Sequence, residues 1–335
     1  MSKFRLFSTD LAIDLGTANI LVYKKNEGLV VNEPSVVALD AQSDQIVAIG
    51  QKAKDMLGKT PDKLIALRPL AKGMISDFDL TEAMLNYFFK KVNPGFSLFQ
   101  PRVVICVPSG VTDVQRRAVE DAALHAGCRD VILIEESLAA SFGLDESLKD
   151  KSKMILNTGA GTSEVAVISL DGIVTSKSIR KGGDTIDENI ISFFRNEKKL
   201  EIGKITAEDV KINLCSLKVD RSDEKMVVHG RDILKGRPHS IEITSKELIP
   251  SIIPFLDELI ETVMIVLENT PPELSADIKR NGIILTGGNS KLDGLKEYLS
   301  RNIKLDIITY DNPLTATIDG SGYILSNLDK FLRSK

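Results

Sequence analysis

Two short runs of this chain place one polar side chain and a glycine turn between apolar strands. The first is AIDLGTANILVY at 12–23, with Asp14 at the bend and Gly16, Thr17, Ala18 and Asn19 in the turn. The second is ILNTGAGTSEVAVI at 155–168, with Asn157, Gly159, Ala160, Gly161 and Thr162 in matching places. Positions 14 and 157 differ by 143, and the same shift takes Gly16 onto Gly159. Backbone N–H groups at glycine turns approach phosphate oxygens closely, and a small hydroxyl adds a donor. Two such hairpins facing each other would grip a phosphate chain from both sides. A lone turn of this kind is ordinary sheet architecture. Its duplication at a lobe-sized spacing, followed by Gly182-Gly183-Asp184 and Gly287-Gly288-Asn289, is hard to obtain from sheet geometry alone. The chemistry implied is a nucleotide clamp between two related lobes.

Such turns need strands to hold them and helices to cover the strands. Apolar runs predict strands at 11–13, 20–24, 36–39, 103–107, 131–134, 154–157, 165–169, 173–179 and 283–286. Helical spacing predicts helices at 81–92, at 112–126 after a Pro108-Ser109-Gly110 turn, at 206–217 behind a threonine cap, and at 251–268, stopped by Pro271-Pro272. The expected fold class is α/β in two halves. Lobe I is expected over 1–145 plus 320–335 with a small subdomain inserted at 32–77, and lobe II over 146–319 with one at 184–246. The insertions would wall a cleft.

Composition sets outer limits. A chain of 335 residues with 43% apolar content can fill two domain cores. Net charge is −4 with Lys and Arg scattered, so no basic face for nucleic acid is expected. Cys106, Cys128 and Cys215 lack CxxC spacing and lie in apolar segments, which reads as buried thiols in an intracellular protein. No apolar run reaches the roughly 18 residues of a membrane span, and 1–10 lacks the apolar core of a signal peptide. His125, His229 and His239 have neither metal-ligand spacing nor a nucleophile partner, which argues against Ser-His-Asp hydrolysis.

AIDLGTANILVY, VNEPSVVALD, PRVVICVPSGVTDVQRRAVEDAALHAG, LIEESLAASFG, EVAVISLDGIVTSKSIRKGGD and GIILTGGNSKLDGL, in this order and spacing, resemble the MreB family of bacterial actin homologues. The resemblance runs from about residue 9 to about residue 326. It implies an actin-like ATPase fold of duplicated ribonuclease-H-like lobes, ATP and Mg²⁺ in the central cleft, and membrane-associated filaments that organise cell shape. It also implies a cytoplasmic location on the inner face of the membrane, with the chain itself, membrane lipid and related actin-like paralogues as partners.

The resemblance assigns roles by position. Asp14 matches the carboxylate that holds waters around Mg²⁺, and Thr17, Ala18 and Asn19 would cup the phosphates. Gly159, Ala160, Gly161 and Thr162 match the second phosphate loop, although the family usually has glycine at the place of Ala160. Glu208, Asp209, Val210 and Lys211 correspond to the stretch over the adenosine. Gly287, Gly288, Asn289, Ser290 and Lys291 correspond to the turn beside base and ribose, with Gly182, Gly183 and Asp184 on the sugar-phosphate side. Glu136 matches the water-orienting glutamate and Thr162 its partner in hydrolysis, where alignment and charge stabilisation carry most of the catalysis. Ser137 replaces the family's proline, so the corner at Glu136 is expected to be less fixed. Asn157 replaces an aspartate, so it reaches Mg²⁺ only through water and without charge, and Thr158 replaces an apolar residue. Nucleotide binding with slow hydrolysis is the expected result.

A second cluster, GFSLFQP at 95–101, gathers Phe96, Leu98 and Phe99 where the family inserts apolar residues into the membrane. Phe4, Leu6 and Phe7, with Lys3 and Arg5 between them, would add an N-terminal anchor. Two other readings remain open. One is a nearly hydrolysis-dead structural filament subunit. The other is a sugar kinase, which needs an aspartate base at a sugar pocket, or a chaperone-type ATPase, which needs a C-terminal peptide-binding domain that a chain ending at Lys335 is not expected to carry.

Overall fold

Two five-stranded sheets repeat one topology. In the computed structural model, which describes residues 5–7, 9–56, 63–95, 97–144 and 152–334, the first meander runs through Leu11–Leu15, Asn19–Lys24 and Gly28–Pro34. Arg102–Val107 and Asp130–Glu135 add to it in parallel beside Leu11–Leu15. In the second sheet the meander is Lys153–Thr158, Ser163–Ser169 and Gly172–Ile179, and Ile283–Thr286 and Ile307–Thr309 are the parallel additions. Asp14 lies opposite Leu21 in one sheet and Asn157 opposite Glu164 in the other, so the sequence repeat is also a repeat of register. Lys153–Thr158 is buried at every residue, as expected for a strand covered on both faces.

Each sheet has its own core, and a third core joins them. The third takes Ala12, Leu21 and Val104 from one sheet, and Ile155, Ala166 and Ile284 from the other. Two helices, Glu136–Phe142 and Ala316–Ser326, supply Leu138, Ala139, Ile318 and Ile324 to it. They approach so closely that a Cβ at Gly320 would lie 1.7 Å from the Ala139 carbonyl oxygen. Glycine costs a helix roughly 1 kcal/mol against alanine, but no larger residue fits this crossing. The lobe boundary expected between 319 and 320 thus falls inside a continuous helix of the seam.

The first insertion holds the three-stranded sheet Ile46–Ile49, Val37–Asp40 and Leu64–Leu67 with the helix Gln51–Lys54, around Val36, Ala38 and Ala53. The second holds the helices Gly183–Glu197 and Lys204–Asn213 and the sheet Leu200–Glu201, Lys225–Asp232 and Pro238–Thr244. Its Val228 and Ile243 join the core of the second five-stranded sheet.

The helix expected at 251–268 begins six residues earlier, as Ser245–Glu268. Thr244 and Glu247 form a capping box, and Leu248, Ile252, Phe255, Leu259 and Val263 keep one face buried through Pro250 and Pro254. Packing outweighs the two missing hydrogen bonds. Pro272 opens a further helix, Pro272–Asn281, at its first position, where proline needs no partner.

Phe96 and Phe4 lie outside the described residues. Ser97–Phe99 pairs in parallel with Arg5–Phe7, placing Phe7 opposite Phe99. Two segments read separately from sequence are therefore adjacent strands. Among the described residues no helix is long and apolar enough to cross a membrane.

Candidate nucleotide site

The two duplicated turns face each other across a cavity of about 670 Å³. Gly73 N–H donates to Thr17 Oγ1 (3.1 Å), and a Cβ at Gly161 would lie 2.3 Å from that same oxygen. Only a glycine lets the loops come this close. The second loop is tied down by the chain behind it. Gly183 N–H donates to Gly159 O (3.0 Å), Asp184 N–H to Ala160 O (2.9 Å), and Asn289 Nδ2 to Gly159 O (2.7 Å) and Thr158 Oγ1 (3.1 Å). Ala160 is not in the left-handed region, so its methyl carries no backbone strain.

Most of the residues singled out from sequence line this cavity. From the first turn they are Asp14, Gly16, Thr17, Ala18 and Asn19; from the second, Asn157, Gly159, Ala160, Gly161 and Thr162. Glu136, Gly183, Asp184, Glu208 and Lys211 join them, with Gly287, Gly288, Asn289 and Lys291. Four do not line it. Val210 is buried in the core, Asp209 bonds Asn213 (2.7 Å), Ser290 Oγ donates to Gly287 O (2.6 Å), and Gly182 supports the second loop from behind. Asp184 is also engaged elsewhere, in an ion pair with Arg68 of the first insertion (3.0 Å). Lys211 donates to Gly183 O (3.1 Å) and lies 2.8 Å from Asp187, whose carboxyl burial pushes up to about 6 against the pull of that lysine.

The floor of the cavity is acidic. Burial pushes the Asp14 carboxyl from 3.8 to about 6, and pushes Glu136 well above the carboxylate range, helped by the charges of Asp14 and Glu164. Asn157 Nδ2 donates to Glu136 Oε2 (3.0 Å) and partly offsets this. Among the described residues no lysine or arginine pairs with Asp14 or Glu136. Uncompensated carboxylates facing a polar cavity suit a cation. However, no three His, Cys, Asp or Glu among the described residues form a cage for one. A Mg²⁺ here fits only as an ion completed by phosphate oxygens and water, which is its usual habit.

Several lining residues escaped the sequence reading. Ile212, Cys215, Arg221, Leu292, Asp293 and Leu314 also line the cavity. Asp293 accepts from Ser216 Oγ and Arg221 Nη1 (both 2.7 Å), and those bonds with the Lys218 ion pair outweigh burial and hold its carboxyl down at about 2. Cys215, pushed up to about 12 by burial, stays a thiol. Asp293 meets Arg221 from 72 positions away and Ser216 from 77, with no shared local pattern. Glu164 was also missed, although a carboxylate inside the apolar run VAVI's strand was a visible signal. It takes a hydrogen bond from Ser137 Oγ, so the corner at Glu136, expected to be loose without proline, is tied by a side chain instead.

A duplicated α/β lobe with paired glycine turns across a central cleft defines an actin-like fold. The chain belongs to the MreB/Mbl family, whose family model, for MreB/Mbl protein, matches residues 8–333. It is 41% identical over 331 residues to the cell shape-determining protein Mbl of Bacillus subtilis, covering 98% of this chain and 99% of that protein. It is 43% identical to the cell shape-determining protein MreB of Haemophilus influenzae, covering 97% and 95%. The crystal structure of MreB5 of Spiroplasma citri bound to ADP superposes with a TM-score of 0.90 at 33% identity, covering 98% of both chains, and the form bound to AMPPNP gives 0.89.

Proposed function

We propose that the chain is the subunit of an actin-like cytoskeletal filament that binds Mg·ATP in this cavity, hydrolyses it slowly, and acts on the inner face of the cell membrane in shaping the cell. The close approach of the Gly161 turn to Thr17 carries the reading, since it brings the two glycine turns to one cavity that both line. MreB5, at 33% identity, is known bound to ADP and to AMPPNP. The phosphates belong between the 16–19 and 159–162 turns. The adenosine belongs toward Glu208, Lys211, Ile212 and Leu314, and Glu136 with Thr162 faces the attacking water. Mg²⁺ would neutralise charge on the phosphates, with Asp14 and Asn157 holding its waters. Self-assembly is head to tail, a heterologous contact that yields an open filament when the rotation does not close. Related paralogues sharing that contact are further partners. Calorimetry with Mg·ATP is the test: saturable binding is expected, and none at millimolar nucleotide would sink the reading.

The nearly hydrolysis-dead reading keeps one specific support, the neutral Asn157 where a second carboxylate would sit. Its slow-turnover and dead forms differ only in phosphate release.

Asp14 supplies a pH dependence. Its carboxyl is raised, so it is largely protonated below about pH 6 and must ionise to hold Mg²⁺ waters. Affinity for Mg·ATP should therefore rise between pH 5 and 7, by about ten-fold per pH unit at the acid end, and level off above. In Asp14→Asn binding should be weaker and the rise absent. An identical pH profile in both proteins would exclude Asp14 as the titrating group.

Membrane attachment is assigned to Phe96, Leu98 and Phe99, with the 5–7 strand paired to the strand at 97–99. Burying one such side chain is worth at most about 1.5–3 kcal/mol, so a single subunit binds weakly and a filament gains avidity. Leu98→Ser with Phe99→Ser is expected to pellet normally yet lose co-flotation with liposomes. Continued flotation would move the anchor to residues 4–7.

A further inference from the structure

Asn157, Glu164 and Ser178 stand directly opposite one another on three adjacent antiparallel strands. Directly opposed residues share a face, so the three form one polar row across the sheet. All three reach out of their own sheet to groups that precede residue 145. Asn157 Nδ2 donates to Glu136 Oε2 (3.0 Å). Glu164 Oε2 accepts from Ser109 N–H (2.9 Å), and its Oε1 accepts from Ser137 Oγ. Ser178 Oγ donates to Ser109 O (2.6 Å), so the 109 residue is held at both its N–H and its carbonyl.

Glu164 is 1% exposed and Ser137 is 0% exposed. Burying a carboxylate is costly unless it is well bonded, and sheet architecture does not require one here. In the duplicated sheet the matching place, 143 positions earlier and opposite Asp14, is held by Leu21, an apolar residue in the same joint core. Glu136 opens its helix behind Glu135, which makes no side-chain cap, and Ser137 is the next residue. The Ser137 hydroxyl therefore ties the turn that carries Glu136 to the opposite sheet.

We propose that Glu164, acting through Ser137 and Ser109, is a positioning residue that sets Glu136 against the attacking water. This rests on the hydrolysis reading above. Glu164 does not line the cavity, so its loss should appear in the rate of the chemical step and not in nucleotide affinity.

The test is single-turnover phosphate release with Mg·ATP, with affinity measured by calorimetry on the same proteins. Ser137→Ala is expected to lower the rate about ten-fold while the dissociation constant stays within about two-fold. Ser137→Thr, which keeps the hydroxyl, should restore most of the rate. Glu164→Gln keeps one acceptor and a partner for the hydroxyl, so it should fold and lose less, about three-fold. A rate unchanged in Ser137→Ala and Glu164→Gln overturns the role, as does a loss of rate and affinity together that Ser137→Thr does not repair. A parent chain that binds Mg·ATP but releases no phosphate overturns the hydrolysis reading and this role with it. The two failures are therefore told apart by the parent alone.

Discussion

Asn157→Asp is expected to raise phosphate release about ten-fold at saturating Mg²⁺ and, in the absence of nucleotide, to destabilise the protein. The gain comes from charge. Hydrogen bonds to charged groups are worth roughly 1.5–3 kcal/mol against about 1 for neutral ones, and a difference of about 1.4 kcal/mol is ten-fold in rate. The loss comes from the neighbour. Asn157 now donates to Glu136 at 3.0 Å, and a carboxylate there withdraws the donor and faces a group already pushed well up by burial, Asp14 and Glu164. Without a cation one of the crowded carboxyls must take a proton. Phosphate release across a Mg²⁺ series and melting of the nucleotide-free protein check both halves. An unchanged rate at saturating Mg²⁺ would show that Asn157 does not limit turnover.

Glu136→Ala should remove most hydrolysis, on the order of a hundred-fold, while leaving Mg·ATP affinity nearly intact. Glu136 lies at the cavity floor and is held by Asn157 and by the turn at Ser137. Its removal takes away the group that aligns water but none of the N–H donors of the two turns. It also deletes a carboxyl whose charged form its surroundings disfavour despite the Asn157 hydrogen bond, so the nucleotide-free protein should melt no lower than the parent. Retained phosphate release would mean that another group orients the water. Loss of affinity in parallel with rate would mean that Glu136 belongs to the binding surface.

The duplicated turn was legible because its parts are local: Asp14 to Asn19 and Asn157 to Thr162 each lie in one hairpin, and the 143-residue shift repeats the register. The helix at Asp113–His125 was equally legible, since Thr112 and Gln115 form its capping box within four residues. What could not be read depends on distance. Arg221 and Asp293 meet 72 positions apart, and Ser109 and Glu164 meet 55 apart, with no shared periodicity to announce either contact. Local rules also misled where packing overrode them. The expected helix at 251–268 left out the first six residues of what is one 24-residue helix running through Pro250, and Gly320 and Gly322 concealed the helix Ala316–Ser326, where the crossing at Ala139 leaves no room for a side chain. Ser137 looked like the loss of a restraint because Glu164, the acceptor of its hydroxyl, lies on a strand 27 positions away.

Electron microscopy of the purified chain with Mg²⁺ and AMPPNP, beside the same chain without nucleotide, tests the central claim most directly. The account predicts open filaments with nucleotide, lost when Gly161→Val drives a side chain into Thr17 and blocks closure of the loops. Particles that stay single with saturating nucleotide bound, or filaments indifferent to both nucleotide and Gly161→Val, would contradict it.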